Sequence, residues 1–492
     1  MTMKKTAIIA CLAFFCASVP GLGGCGSGGD AAPIAEEAAG GTADAGAAAA
    51  TAENIPYMGY VFPDIDYGGY EFRITSMVFD MDGAINEIVT EKENGDLIND
   101  AIYRRNLLVE EKLNISITNT QLPMGQMRDI IKRSAAAADD AFGVAFCNIM
   151  DSASLANTGI FVNLFDIPAL EVRAPWWNQK IINDVSIGNK LYFCVSDITI
   201  QPNQLAWIIY FNKTMMKELD LKEPYELARS GAWTIDAMME LMKKAIYDLN
   251  GDGAFSRGDR FGFIAHNSSS NAFLKGADIK PIIKDERDYP MLTHPSERDN
   301  YVADKLKELF EPKYGNYLAV DQGIEALAFM NREALFVSNN MVIIDVIRDM
   351  DDDFGLLPYP KPDAQQDSYY SNLGMNSASF GIPSTAPDIE RIGVVVNALT
   401  AVSIDTVRPA YFEYTLKRKR ARDDESLDML ELIASGRVFD VGLVYNWGNI
   451  VTEYRENVVK CSSASLFTVF EKYSGPAQSA IDKSLKAFME MD

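Results

Sequence analysis

The stretch best equipped for chemistry is Asp248-Leu249-Asn250-Gly251-Asp252-Gly253-Ala254-Phe255-Ser256-Arg257-Gly258-Asp259. Oxygen-bearing side chains stand at its first, third and fifth positions, and Gly253 at the sixth permits a sharp turn. Ala254 would offer its carbonyl at the seventh, Ser256 would bind directly or through water at the ninth, and Asp259 closes the loop at the twelfth. Donors two residues apart aim at one centre, and hard Ca²⁺ takes roughly six to eight oxygens. The expected metal set is therefore Asp248, Asn250, Asp252, Ala254, Ser256 and Asp259, around a structural Ca²⁺. Asp259 is shorter than the glutamate that commonly closes such loops, and an Asx-rich turn without metal shares this composition. A helix precedes the loop, whereas Arg260-Phe261-Gly262-Phe263 reads as strand or loop. The pattern is a calcium loop grafted onto another fold, not half of a paired sensor.

Little else in the chain has a catalytic spacing. Only two histidines occur, His266 and His294, which argues against a His-activated nucleophile or a multi-His metal site. There is no phosphate-cradling glycine loop, no Gly-x-Ser-x-Gly elbow and no metal-ligand His pair. The 69 acidic residues offer carboxylate pairs for glycoside hydrolysis, but context marks none of them. No catalytic residues are assigned, and a non-enzyme is expected. With 45 basic residues against those acids, the net charge of −24 repels nucleic acid, which demands clustered cations. One basic run, Lys417-Arg418-Lys419-Arg420 with Arg422, abuts Asp423-Asp424-Glu425 and reads as a solvated helical face.

The start of the chain speaks to location. Lys4 and Lys5 precede an apolar run, Thr6 to Val19, followed by small residues up to Cys25. This is the layout of a secretory signal peptide, and the run is shorter than the roughly 20 residues of a membrane span. Leu22-Gly23-Gly24-Cys25 resembles a bacterial lipobox, with Gly23 a slight departure, so Cys25 is the expected lipidation site. Residues 1–24 are then the signal peptide. Residues 25–56, rich in Ala, Gly and Glu, are a flexible tether that cannot bury enough surface to offset chain entropy. No later apolar run is expected to cross a bilayer. The mature chain keeps Cys25, Cys147, Cys194 and Cys461, without metal-ligand spacing; Cys147 and Cys194 lie in apolar contexts that suit buried thiols.

Hydrophobic residues make up 48% of the chain and charged residues 23%, a globular composition, and the remainder is too long for one ordinary core. Alternation at Tyr70, Phe72 and Ile74 predicts a strand. A helix over 96–113, a strand at 115–118, a helix over 127–138 and a strand at 142–146 follow. This β-α-β-α-β order implies a parallel sheet with ligands outside the carboxyl ends of its strands, where Asn148 and Asp151 fall. Strands are also expected at 190–195, 207–211, 261–264, 335–337, 354–357 and 379–382. Helices are expected after Thr234 and over 389–402, 426–434, 449–458 and 477–491. Late strands between helical blocks suggest two lobes with a chain that crosses more than once.

Pro175-Trp176-Trp177-Asn178, Gly188-Asn189-Lys190-Leu191-Tyr192, Phe211-Asn212-Lys213, Pro224-Tyr225-Glu226, Gly231-Ala232-Trp233-Thr234 and the calcium-type loop follow one another in that order. Glu333-Ala334-Leu335-Phe336 and Phe380-Gly381-Ile382-Pro383 come later. In this order the chain resembles the extracellular solute-binding proteins of the family 1 type, lipid-anchored receptors of ABC importers, mostly for carbohydrates. The resemblance implies an α/β, two-lobe periplasmic binding protein-like type II fold with crossing hinge segments. Lobe one would hold 57–198 and 338–381; lobe two, 199–337 and 382–492. It implies a carbohydrate, expected to be an oligosaccharide, clamped by hinge closure and passed unaltered to ABC permease transmembrane subunits. The protein would be a monomer outside the cytoplasmic membrane, touching that membrane through its lipid only. Sugar sites stack an aromatic face on C–H groups and ring their hydroxyls with amides and carboxylates. On position, the expected ligand-binding residues are Asn148, Asp151, Trp207, His266, Asn267, Asn339, Tyr370 and Trp447. A surface glycan-active enzyme and a sensory or adhesive binding protein are the rival readings.

Overall fold

The computed structural model describes residues 57–490 apart from 81–83, 254, 312–315, 320–322 and 418–423. The signal peptide, Cys25, the tether and Ala254 lie outside these residues. The strands that matter for function are β1 (Tyr70–Val78), β2 (Ile115–Pro123), β3 (Val144–Asn148), β4 (Trp207–Asn212), β5 (Phe261–His266), β6 (Asn316–Ala319), β7 (Ala334–Asn340), β8 (Phe354–Leu357) and β9 (Ala378–Gly381). They form two sheets, ordered β9-β3-β1-β2 and β8-β4-β7-β5-β6.

The first sheet is the core of lobe one. β1 runs parallel to both β2 and β3, as the β-α-β-α-β order requires, and β9 returns antiparallel to β3. Helix Leu97–Leu113 buries Ile98, Ile102, Val109 and Leu113 on one face, and Asp96 caps it by accepting the Ile98 and Asn99 N–H groups. Helices Ile389–Asp405 and Val407–Lys417 pack beside it. By length and composition, the apolar run Ile389–Thr415 could cross a membrane, contrary to the sequence expectation; 72% of its most apolar window is buried, so it is a core element. Arg105, also buried, donates to the carbonyls of Ile88 (2.7 Å) and Ile198 (2.6 Å) and to Ser403 Oγ (3.2 Å). Burial with no carboxylate partner pushes its guanidinium down to about 9.

The second sheet is the core of lobe two. β7 is buried along its whole length between antiparallel β4 and parallel β5; its first four residues, 334–337, are apolar, and Ser338, Asn339 and Asn340 follow at its cavity end. Helix Ile235–Ala245 packs on β5, helix Ile324–Met330 on β7, and helix Asp424–Ser435 on β8. Helices Glu297–Phe310, Ile450–Val459 and Leu466–Met489 pack together behind them.

Two sequence expectations are corrected here. The sequence expectation puts β8 in lobe one with residues 338–381, but it pairs with β4 in lobe two. Helices Ile389–Asp405 and Val407–Lys417 were assigned to lobe two, but they pack on lobe one. The observed lobes are about 57–200 with 378–417, and 207–372 with 424–490. A short strand buried on both faces carries no periodic mark of the sheet it joins, and that choice is made by distant partners. The expected strand at 190–195 is instead irregular chain with two isolated bridges, Lys190 to Ile187 and Cys194 to Phe380.

Adjacent crossing segments tie the lobes. Ala206 bridges Leu373, Gly374 N–H donates to Leu205 O (2.9 Å), and Met341 N–H donates to Ala206 O (3.0 Å). A Cβ at Gly374 would stand 3.2 Å from Leu205 O, so this close approach favours glycine. Beside the crossing, Asp197 of lobe one pairs with Arg408 and accepts Asn203 Nδ2–H (3.0 Å), while Arg437 of lobe two donates to Asn203 Oδ1 (2.7 Å). The lobes also meet on one flank. There Lys284, on the hairpin Ile282–Leu292, donates to Ser186 O (2.9 Å), and Asp184 accepts Phe439 N–H (3.0 Å).

Candidate functional site

The two sheets present their edges to a shared cavity of about 340 Å³. Lobe two supplies a continuous row. Trp207, at the start of β4, pairs with Asn340 near the end of β7; because β5 runs parallel to β7 with Ala265 opposite Ser338, His266 falls beside Asn339. Trp207, His266, Asn339 and Asn340 thus line the cavity from one edge of one sheet. Trp207 is half-buried, which leaves part of its aromatic surface available for stacking. His266 Nδ1 accepts the Ser268 N–H (3.3 Å). Asn339 is held by two bonds: its Nδ2 donates to Glu325 Oε1 (2.6 Å) and its Oδ1 accepts the Asn340 N–H (2.7 Å). Asn271 and Asn340 each leave a buried Oδ1 without a hydrogen-bond partner.

Lobe one contributes Phe79 and Asp80, directly after β1, and the crossing contributes Asn372, Met375 and Asn376. The loop after β1 is anchored. Phe79 N–H donates to Asn86 Oδ1 (2.7 Å), and Ile85 N–H donates to Gln204 Oε1 (3.0 Å) in the crossing.

Of the eight expected ligand residues, the cavity gathers Trp207, His266 and Asn339. The other five lie elsewhere. Asn148 caps helix Ile149–Ala156, accepting Asp151 N–H (2.9 Å) and donating to Asp151 Oδ2 (2.8 Å), so both residues serve their own helix. Asn267 is exposed beyond the rim, where its carbonyl accepts Ser270 Oγ–H (2.6 Å). Tyr370 lies under the ammonium of Lys180, 4.0 Å from its ring centroid. Trp447 is a core residue, stacked on Tyr445 at 4.7 Å and 3° and donating its indole N–H to Ser484 Oγ (2.8 Å). Phe79, Asp80, Asn271, Glu325, Asn340 and Asn376 were not anticipated. Only the doublet Asn339-Asn340 after an apolar strand gave a usable sequence mark.

The calcium-type loop sits apart from this cavity, between helix Ile235–Ala245 and β5, as expected, and the Tyr247–Arg260 bridge closes it. Asp248 accepts the N–H groups of Gly251 (2.7 Å) and Gly253 (2.8 Å), and Gly253 takes the left-handed φ of +82°. Asp259 accepts Ser256 N–H (2.8 Å) and Leu249 N–H (3.0 Å), bonds that hold its carboxyl below the usual range. An all-oxygen donor set suits Ca²⁺, and each carboxylate oxygen keeps a lone pair after its backbone bond. Among the described residues no three His, Cys, Asp or Glu side chains are gathered as a metal ion needs. Cys147 and Cys194 are free and buried, their thiols pushed up to about 12 by burial.

No family model and no curated protein matches the sequence. Solved structures do match. An ABC substrate-binding protein from Listeria monocytogenes in complex with cycloalternan aligns at TM-score 0.52 and 10% identity, over 85% of this chain and 99% of that one. UspC of M. tuberculosis aligns at TM-score 0.55 and 10% identity, over 84% and 100%. A cyclic alpha-maltosyl-1,6-maltose binding protein from Arthrobacter globiformis aligns at TM-score 0.53 and 12% identity, over 86% and 99%. At such identities the likeness speaks for architecture, and the architecture is plain: this chain has the two-lobe α/β fold of the periplasmic sugar-binding proteins.

Proposed function

We propose that this protein is the lipid-anchored, extracellular receptor of an ABC importer, and that it binds a carbohydrate between its lobes and releases it unaltered. The observation that carries the reading is the row Trp207, Asn340, Asn339 and His266 on one sheet edge, facing Phe79 and Asp80 across the crossing. An aromatic surface beside amides and a carboxylate is the chemistry of a sugar ring, apolar on its faces and hydroxylated at its edge. Two structural neighbours support this, one solved with cycloalternan and one named for binding cyclic alpha-maltosyl-1,6-maltose. Closure brings both walls onto the ligand, which requires a hinge, and the crossing at 205–206 and 373–374 is its natural place. Cys25 would carry the lipid, with residues 26–56 as leash, and the loaded receptor would dock on permease subunits as a monomer.

A thermal-shift screen of mono- and oligosaccharides tests this, because a ligand that binds only the folded state raises Tm. A length series of one saccharide tests the expectation of an oligosaccharide. Flat curves for every sugar sink the carbohydrate reading, and new reducing ends after incubation with polysaccharide would replace it with an enzyme.

The loop at 248–259 is proposed to hold a structural Ca²⁺, supported by its oxygen spacing and by the turn at Gly253. Chelator should lower Tm and added Ca²⁺ restore it. An unchanged Tm leaves the loop as an Asx turn.

A further inference from the structure

Glu325 is fully buried, yet it lines the cavity. Its oxygens accept the Asn339 amide N–H (2.6 Å) and the Gly323 N–H (3.1 Å), both neutral donors. Burial raises its carboxyl above the usual range, and the bonds from its own amide and Gly323 pull it partly back. Asp80 stands exposed on the opposite wall. Among the described residues that line the cavity none is Lys or Arg. A buried carboxylate without a cationic partner is costly, and an ammonium supplies three donors and the missing charge.

Resting on the carbohydrate reading above, we propose that Glu325, aided by Asp80, makes the cavity select a saccharide that bears a protonated amine over its neutral and acidic counterparts. The ammonium would approach the Glu325 carboxylate beside Asn339, while Trp207 takes a ring face. The unpartnered Oδ1 atoms of Asn271 and Asn340 would accept further N–H or O–H groups of the ligand. A uronate would meet two carboxylates with no Lys or Arg among the described lining residues to receive it. Like charges brought together in a desolvated cleft discriminate strongly against a wrong ligand.

The test is calorimetric titration of the full chain with two matched series: glucose, glucosamine and glucuronate, then galactose, galactosamine and galacturonate. Within at least one series the amine should bind about tenfold or more tighter than the neutral sugar, with the uronate weakest. Glu325→Gln keeps one acceptor oxygen, enough for either the Asn339 or the Gly323 bond, and removes the charge, so the ratio of amine to neutral affinity should fall towards one. If that variant does not fold, Asp80→Asn at the exposed rim should lower the same ratio. Neutral sugars that bind as tightly as the amines overturn charge selection and leave the carbohydrate reading standing. Failure of all six sugars to bind overturns charge selection, and the carbohydrate reading falls with it only if the oligosaccharide screen is flat as well.

Discussion

The two lobes meet the same cavity with different kinds of edge. Lobe two offers side chains on hydrogen-bonded neighbouring strands, Trp207 opposite Asn340 and His266 beside Asn339, each fixed by sheet register. Among the described residues lobe one offers the loop after β1, and it spends Asn148, at the end of β3, on capping the helix that carries Asp151. The difference teaches a division of labour. On the proposed function, the strand-borne wall would carry recognition, because sheet register sets its geometry before a ligand arrives.

This comparison holds only if the lobes are joined as units, and the strongest joint is the buried network at the crossing. Asp197→Ala would leave Arg408 and Arg437 without their carboxylate, and loss of one partner of a buried pair costs about 3–5 kcal/mol. Urea denaturation should show that loss; a change under about 1 kcal/mol would mean the lobes do not depend on this joint.

The flank contact should respond to pH in the opposite sense to an ordinary paired acid. Burial pushes Asp184 up to about 6, against the pull of the Phe439 N–H and of Lys280, Lys180 and Lys284. A folded value above the unfolded one means that the folded state holds an extra proton between roughly pH 4 and 6. Stability from this group is therefore present at acid pH and lost as pH rises through about 6. Wild type should lose about 1–2 kcal/mol relative to Asp184→Asn between pH 5 and 7. A pH-independent difference between the two proteins would show that this flank is open to water.

On the recognition wall itself, Trp207→Ala should weaken the cognate sugar about tenfold, roughly the 1.4 kcal/mol expected of a lost stacking face. Unchanged affinity would move the ligand off this edge.

How much of this was legible in the sequence follows from where the information lies. That Trp207, His266 and Asn339 fall on one cavity follows from a legible pattern, since each stands at an edge of an apolar run that reads as a strand. Glu325 was not, since an acid in the first turn of helix Ile324–Met330 looks like ordinary charge–dipole pairing until tertiary contacts bury it. Trp447 misled for the converse reason: a Trp before a late helix suits a cleft or a core equally, and Tyr445 and Ser484 decide for the core. The strands themselves were mostly visible. The lobe to which β8 belongs was not, because its pairing with β4 joins segments far apart in the chain.

The smallest expected effect gives the sharpest test of the two walls. Asn148→Ala removes a helix cap and should cost about 1 kcal/mol of stability, and Asp151 would lose its amide donor. Affinity for the cognate sugar should not change, because neither side chain reaches the cavity. Asn339→Ala should do the reverse: it strips Glu325 of a donor inside the site, so binding falls by more than stability alone explains. Calorimetry and urea curves on both variants separate the cases. If Asn148→Ala weakens binding as much as Asn339→Ala does, lobe one also reads the ligand, and the preformed wall is not the one that chooses.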